Sequence, residues 1–239
     1  MLIGTVERIV RYPVKSMRGE ELAAATLGLR GLPGDRTWAF VRAGDRSPFP
    51  WLTARHLPAL LLYRPHFAAR YDTPGREPPL LVETPAGACC AIDDPALLAE
   101  LEERAGCSLQ LLHTKLGVPD NAPLSIFNLD LVREIGERVG RALDPLRFRA
   151  NIYLRPAAGG CPPDAELLGR TLAIGDEARV AVVEQDERCR MIALDPETAE
   201  RDPAVQNTVI AAFDNCAGLY AVVTRPGRIA SGDAVTIVA

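Results

Sequence analysis

A mainly β fold with a few packed helices, of the α+β class and closed into barrel-like units, is what the sequence predicts. Short apolar segments recur between turn signals along most of the chain, and strong helix signals occur at only a few places. The regular alternation of strand and helix patterns that marks a parallel sheet is missing, which favours barrels with helices packed outside.

In the first half the strand-like segments are IGTVERIVRYPV (3–14), RTWAFV (36–41), ALLLYR (59–64) and PLLVET (79–84). Between them AGDRSPFP (43–50) and DTPGREPP (72–79) are rich in proline and glycine, which fix or free the backbone and mark loops. Asp94, Pro95 and Gly106 are a cap, a first-turn proline and a stop, so a helix is predicted over 95–105. A second helix is predicted from Leu129 to Ala142, because Leu129, Val132, Ile135, Val139 and Leu143 share one face and Asn128 caps it. Strand-like FRANIYL (148–154), TLAIG (171–175), ARVAVVE (178–184), CRMIAL (189–194), LYAVV (219–223) and AVTIV (234–238) follow, with one more helix near 203–213.

The 239 residues are enough for a substantial core. With 48% hydrophobic and 24% charged residues and a net charge of −4, the composition is that of a soluble globular protein and argues against a nucleic acid polymer as partner. Charges at Glu7, Arg8 and Arg11 interrupt the N-terminal segment and no apolar run reaches membrane-spanning length, so no membrane is expected and the chain reads as cytoplasmic. Cysteines at 89, 90, 107, 161, 189 and 216 show no C-x-x-C spacing, and His56, His66 and His113 no i, i+4 spacing. Neither a disulfide framework nor a zinc site is predicted.

Cys189 stands between Arg188 and Arg190, and a partly exposed thiol among fixed cations tends towards thiolate. In a strand, however, adjacent residues point to opposite faces, so the stretch alone favours a small buried cysteine beside surface arginines. Lys15 and Ser16 end the first strand-like segment, and Arg36 closes the turn Gly31-Leu32-Pro33-Gly34-Asp35. Cations at strand ends suit a phosphate, although a solvated lysine and an Asp35–Arg36 turn pair explain them as well. Arg147 and Arg149, read as one face of a strand with Phe148 on the other, would also suit an anion.

YPVKS, GLPGDR, FRAN and ERC followed by MIALDPET, together with Pro123-Leu124-Ser125, Gly218-Leu219-Tyr220 and the span from Pro226-Gly227 to Gly232-Asp233, resemble in order and spacing the motifs of the MOSC superfamily. That superfamily is named for the C-terminal domain of molybdenum-cofactor sulfurases. The resemblance covers essentially the whole chain and implies an N-terminal MOSC-associated β-barrel domain over 1–115 and a MOSC domain over 116–239. In layout the chain is similar to the mitochondrial amidoxime reducing component and its bacterial counterparts. What this implies is a molybdenum cofactor (Mo-molybdopterin) and reduction of N-hydroxylated bases, amidoximes or hydroxylamines.

By the same resemblance Cys189 is the metal ligand and catalytic centre, and Lys15, Ser16, Arg36, Ser125, Arg149, Asn151, Arg188 and Tyr220 surround the pterin and its phosphate. Asp186 or Glu187 could deliver a proton. Two alternatives use the same fold: a sulfur carrier with a Cys189 persulfide, and a cofactor carrier without turnover. Ala150 stands where relatives often have proline, Gln185 or Asp186 where they have another cysteine, and CPPDAELLG where they have an acidic-aromatic stretch. No GxGxxG fingerprint or plant-type iron–sulfur cysteine pattern occurs, and the sequence ends at Ala239 directly after AVTIV. A separate electron-donor protein, a ferredoxin, flavoprotein or haem protein, is therefore expected.

Overall fold

The computed structural model describes residues 1–71 and 77–238. The first half holds β1 (Leu2–Arg11), β2 (Glu20–Leu22), β3 (Ala24–Leu27), β4 (Trp38–Arg42), β5 (Arg64–Phe67), β6 (Leu80–Glu83), β7 (Cys89–Ala91), helix α1 (Pro95–Ala105) and β8 (Leu109–His113). The second half holds β9 (Leu124–Asn128), α2 (Leu129–Val139), β10 (Ile152–Pro156), α3 (Asp164–Leu167), β11 (Thr171–Ile174), β12 (Ala178–Glu187), α4 (Pro203–Phe213), β13 (Cys216–Arg225), β14 (Gly227–Ala230) and β15 (Ala234–Val238).

A run of strands in the order β10, β9, β13, β12, β11, β15, β1 closes on itself through β1–β10 pairing into a seven-stranded barrel. Its first strand thus comes from the first eleven residues, and the other six lie between 124 and 238. All its pairings are antiparallel except β9 with β10. Inward positions such as Ile9, Ile126, Ile152 and Val180 fill the barrel core. A second core, with Phe40, Tyr63, Val82 and Leu97, lies under the ribbon β4–β8, the sheet β5–β6–β7 and α1. A third layer packs α2 and α4 against the outside of the barrel through Phe127, Ile135, Phe148, Tyr153 and Val209.

Helices α1 and α2 start where their caps predict, and α4 is capped in the same way. Asp94, Asn128 and Asp202 accept from the backbone N–H groups of Ala96, Asp130 and Ala204 at 2.8–2.9 Å. Helix α2 ends at Val139 rather than Ala142, because Gly140 turns left-handed with φ 87°. Helix α3 was not expected.

Three strand expectations fail. ALLLYR begins as a 3₁₀ helix over Pro58–Leu62, since proline favours a helical first turn, and the strand starts only at Arg64. FRANIYL becomes a strand only from Ile152: Pro145–Phe148 is 3₁₀ and Arg149 is left-handed, so Arg147 and Arg149 do not share a strand face. CRMIAL is not a strand either, because β12 ends at Glu187 and Arg190–Ala193 form a 3₁₀ turn. The spacing of Ile192 and Leu194 looks strand-like, but they enter different cores. Of the loop read at 72–79, residues 72–76 lie outside the described residues.

Candidate functional site

A cleft of about 600 Å³ opens where turns of the first half meet strand ends of the second. Lys15 and Ser16 follow β1, Arg36 precedes β4, and Phe49, Thr53 and Arg55 lie beyond it. The opposite side is built from Asp120, Ser125, Arg147, Arg149, Tyr220 and the segment from Asp186 to Cys189. Strand alternation places Ser125 here: Leu124 and Ile126 point into the barrel core, and the residue between them faces out.

Three of these residues are held in left-handed backbone that favours glycine: Ser16 (φ 66°), Arg36 (φ 51°) and Arg149 (φ 52°). They make up half of the six non-glycine residues in that region among those described, and each such conformation costs about 1–3 kcal/mol. Backbone bonds secure them: Arg36 N donates to Tyr12 O at 2.6 Å, and Arg149 N to Leu146 O at 3.2 Å. Gly31, at φ 83°, lets the turn before Arg36 approach the segment that leads into β9, since a Cβ there would stand 2.4 Å from the Pro123 carbonyl oxygen.

Eight of the nine residues expected at a site line this one cleft, and Asn151 does not. It is buried beneath the floor, where Nδ2 donates to Val10 O and Asp35 Oδ1, both at 3.1 Å, and Oδ1 accepts from Ser125 N at 3.1 Å. Asn151 thus ties β1, the Asp35 turn and β9 together.

Six basic side chains face three acidic ones in the cleft, in a chain whose net charge is −4. Four of the six are committed to carboxylates. Lys15 Nζ donates to Asp120 Oδ1 at 2.7 Å, and Arg36 pairs with Asp35. Arg147 Nη2 donates to Asp195 Oδ2 at 2.6 Å, and Arg188 lies 2.8 Å from Asp186. Burial pushes the Lys15 ammonium down, against the pull of Asp120.

Arg149 makes no ion pair among the described residues. Its guanidinium stacks 4.3 Å from the centre of the Tyr12 ring, which Arg36 also approaches at 4.9 Å. Burial lowers its pKa, and the neighbouring Arg36 charge lowers it further. Arg147 Nε and Arg188 Nη2 are buried donors without a hydrogen-bond acceptor, so the Arg188–Asp186 contact is one of charge rather than directed bonding. The cleft presents cationic groups and directed N–H bonds in excess of what the chain itself satisfies, and that is the chemistry of an anion site.

Cys189 is exposed, caps the 3₁₀ turn and lines the cleft. The two flanking arginines do not act on it as the sequence suggests. Arg188 is buried, donating to Ala217 O at 2.6 Å and Phe148 O at 2.8 Å, and Arg190 is exposed outside the cleft. Burial pushes the Asp186 carboxyl up to about 6 against the opposing charge of Arg188. Tyr220 beside it is pushed up too, by burial and then by the Asp186 charge. No group of three or more His, Cys, Asp or Glu side chains among the described residues is placed to hold a metal. Phe49, Thr53, Arg55, Asp120 and Met191 went unforeseen, because nothing local distinguishes an aromatic between two prolines, or a lone arginine, from ordinary surface.

The MOSC domain model matches residues 113–236, and the MOSC N-terminal beta barrel domain model matches residues 3–110. In fold the chain is similar to the YuaD protein from Bacillus subtilis, with a TM-score of 0.52 and 13% identity over 98% of this chain and 94% of that one. YiiM from Geobacillus stearothermophilus gives 0.39 and 20% identity over 49% of this chain and 54% of that one; YiiM from Escherichia coli gives 0.35 and 16% over 52% and 57%. No curated protein matches the sequence.

Proposed function

Since the chain belongs to the MOSC family, we propose that it is a cytoplasmic molybdenum-cofactor protein that reduces N-hydroxylated bases, amidoximes or hydroxylamines. The observation that carries this reading is one cleft holding both an arginine without an anion, Arg149, and an exposed thiol, Cys189. The donor set fits the cofactor. A lone thiolate suits a soft metal whose other sulfur ligands arrive with a pterin, and left-over guanidinium and N–H donors suit its phosphate. A cleft of about 600 Å³ is also within the range of small-molecule and cofactor sites.

When bound, the cofactor supplies two-electron redox chemistry at a metal that can accept oxygen. Arg149, Arg36, Lys15, Ser16 and Ser125 would hold its anionic end, and Cys189 would give the metal a protein ligand. The overall change is R–NHOH plus two electrons and two protons to R–NH₂ and water. Asp186, protonated below about pH 6, holds a proton in the cleft for the departing oxygen. A separate ferredoxin, flavoprotein or haem protein supplies the electrons.

Protein made in a host that synthesises the cofactor should carry molybdenum and pterin in near-equal amounts and reduce an N-hydroxylated base with reduced viologen. Cys189→Ala should lose the metal while melting within about 0.5 kcal/mol of the parent, because the side chain is exposed. Full metal retention in that variant would refute the assignment. A persulfide on Cys189 without molybdenum would instead make the protein a sulfur carrier.

A further inference from the structure

Arg149 is not the only uncommitted cation in the cleft. Of the six basic side chains that line it, Lys15, Arg36, Arg147 and Arg188 pair with carboxylates, and Arg149 and Arg55 make no ion pair among the described residues. Both stack on aromatic rings, Arg149 on Tyr12 at 4.3 Å and Arg55 on Phe49 at 4.6 Å. Such stacking holds the guanidinium plane and leaves its N–H edge for an acceptor, and that edge matches a carboxylate or phosphate through two parallel bonds.

The two differ in depth. Arg149 is partly buried at the floor, on left-handed backbone, and Arg55 and Phe49 are exposed at the mouth. Lys15 reaches the same Phe49 ring at 5.5 Å, so the aromatic ring is held among cations on a proline-flanked loop. Arg55 contributes little to the fold: its side chain is in no core, and its one hydrogen bond among the described residues is from Nε to Thr53 Oγ1 at 3.5 Å. A guanidinium positioned this way at the entrance, beyond the one that serves the cofactor, is placed for a second anion.

We infer that the mouth of the cleft is a second anion subsite built on Arg55 and Phe49, and that the substrate carries a carboxylate or phosphate in addition to its N–OH group. The substrate class rests on the reductase reading above; the subsite itself does not. Met191 on the same wall offers an adaptable apolar contact for the body of such a molecule. Cationic N-hydroxy compounds are disfavoured by the charge of Arg55, which no carboxylate among the described residues pairs with.

The test uses cofactor-loaded protein and two matched pairs. 4-Carboxybenzamidoxime and benzamidoxime are assayed for reduction with reduced viologen; 4-carboxybenzamide and benzamide, which have no N–O bond to reduce, are titrated calorimetrically. Arg55→Ala should lower the ratio of kcat/KM between the charged and neutral amidoximes about tenfold, and weaken the charged amide by a similar factor relative to the neutral one. Arg55→Lys should recover only part, since it keeps the charge but not the fork. Raising the salt concentration should narrow the difference in the parent protein. If neither amidoxime is reduced, the reductase reading fails, and the titration alone decides on the subsite. Equal loss for charged and neutral ligands, no preference for the charged amide in the parent protein, or loss of molybdenum from Arg55→Ala would overturn the inference, the last by assigning Arg55 to the cofactor.

Discussion

Inside the barrel, Ile3, Leu172, Val180 and Leu219 are almost wholly buried among other aliphatic side chains. In the cleft Phe148, Ile192 and Tyr220 are buried beside Lys15, Ser16, Thr53, Ser125, Arg147, Asp186 and Arg188, and the last seven are most of the eleven buried polar or charged side chains among the described residues. Some of the same strands supply both. On β12, Val180 and Val182 fill the core, and Asp186, near the strand's end, reaches the cleft. Aliphatic burial stabilises the fold, whereas left-handed backbone, a desolvated carboxyl and unpaired guanidinium groups cost stability. A region that the fold sustains at a cost, within a scaffold that could do without it, is where function is to be sought. Substitutions should therefore change stability with opposite sign in the two regions.

The largest effect is expected in the barrel. Leu172→Ala removes a fully buried side chain and should cost about 4 kcal/mol in chemical denaturation, with no selective change in ligand affinity once the protein is folded. A loss below about 1 kcal/mol would mean that the barrel is loosely packed and would weaken the contrast.

Asp186 gives the next effect, with a defined pH dependence. Its folded carboxyl titrates at about 6 against an ordinary 3.8, so between those values the native state binds more protons than the unfolded chain. Stability from this group is full below about pH 4 and is lost as pH rises through about 6. Asp186→Asn, which resembles the protonated acid, should match the parent near pH 4 and exceed its stability by about 3 kcal/mol at pH 7.5. If the variant is instead less stable at pH 7.5, the pair with Arg188 is a net structural contact, and Asp186 belongs with the scaffold.

Arg149→Gly is the smallest and sharpest test. Glycine adopts the left-handed conformation freely, so relief of strain should raise stability by about 1 kcal/mol, whereas retention of pterin should collapse. Unchanged pterin content would remove Arg149 from the cofactor site.

The local parts of the fold were legible because they depend on near neighbours. Asp94, Asn128 and Asp202 each cap a helix through an N–H two residues on, and TLAIG and AVTIV became β11 and β15 within one residue. Where the reading failed, a local pattern met a distant demand: Arg147 turns towards Asp195, 48 residues away, and the backbone at Arg149 bends left-handed instead of extending.

The sequence by itself determined the mainly β class and the starts of α1, α2 and α4, since periodicity, capping and turn chemistry act over a few residues, and the candidate site residues came from ordered motifs that resemble the MOSC superfamily. Only the tertiary structure decided where those residues lie and what they pair with. It placed Asn151 beneath the floor instead of in the cleft, turned Arg188 inward and left Arg190 outside. Lys15 finds its carboxylate 105 residues along the chain, and Arg149 and Arg55 find none among the described residues. Whether a charge is spent on a partner or left for a ligand depends on which chain segments meet in space, and pairings of that range leave no periodic trace in the order of residues.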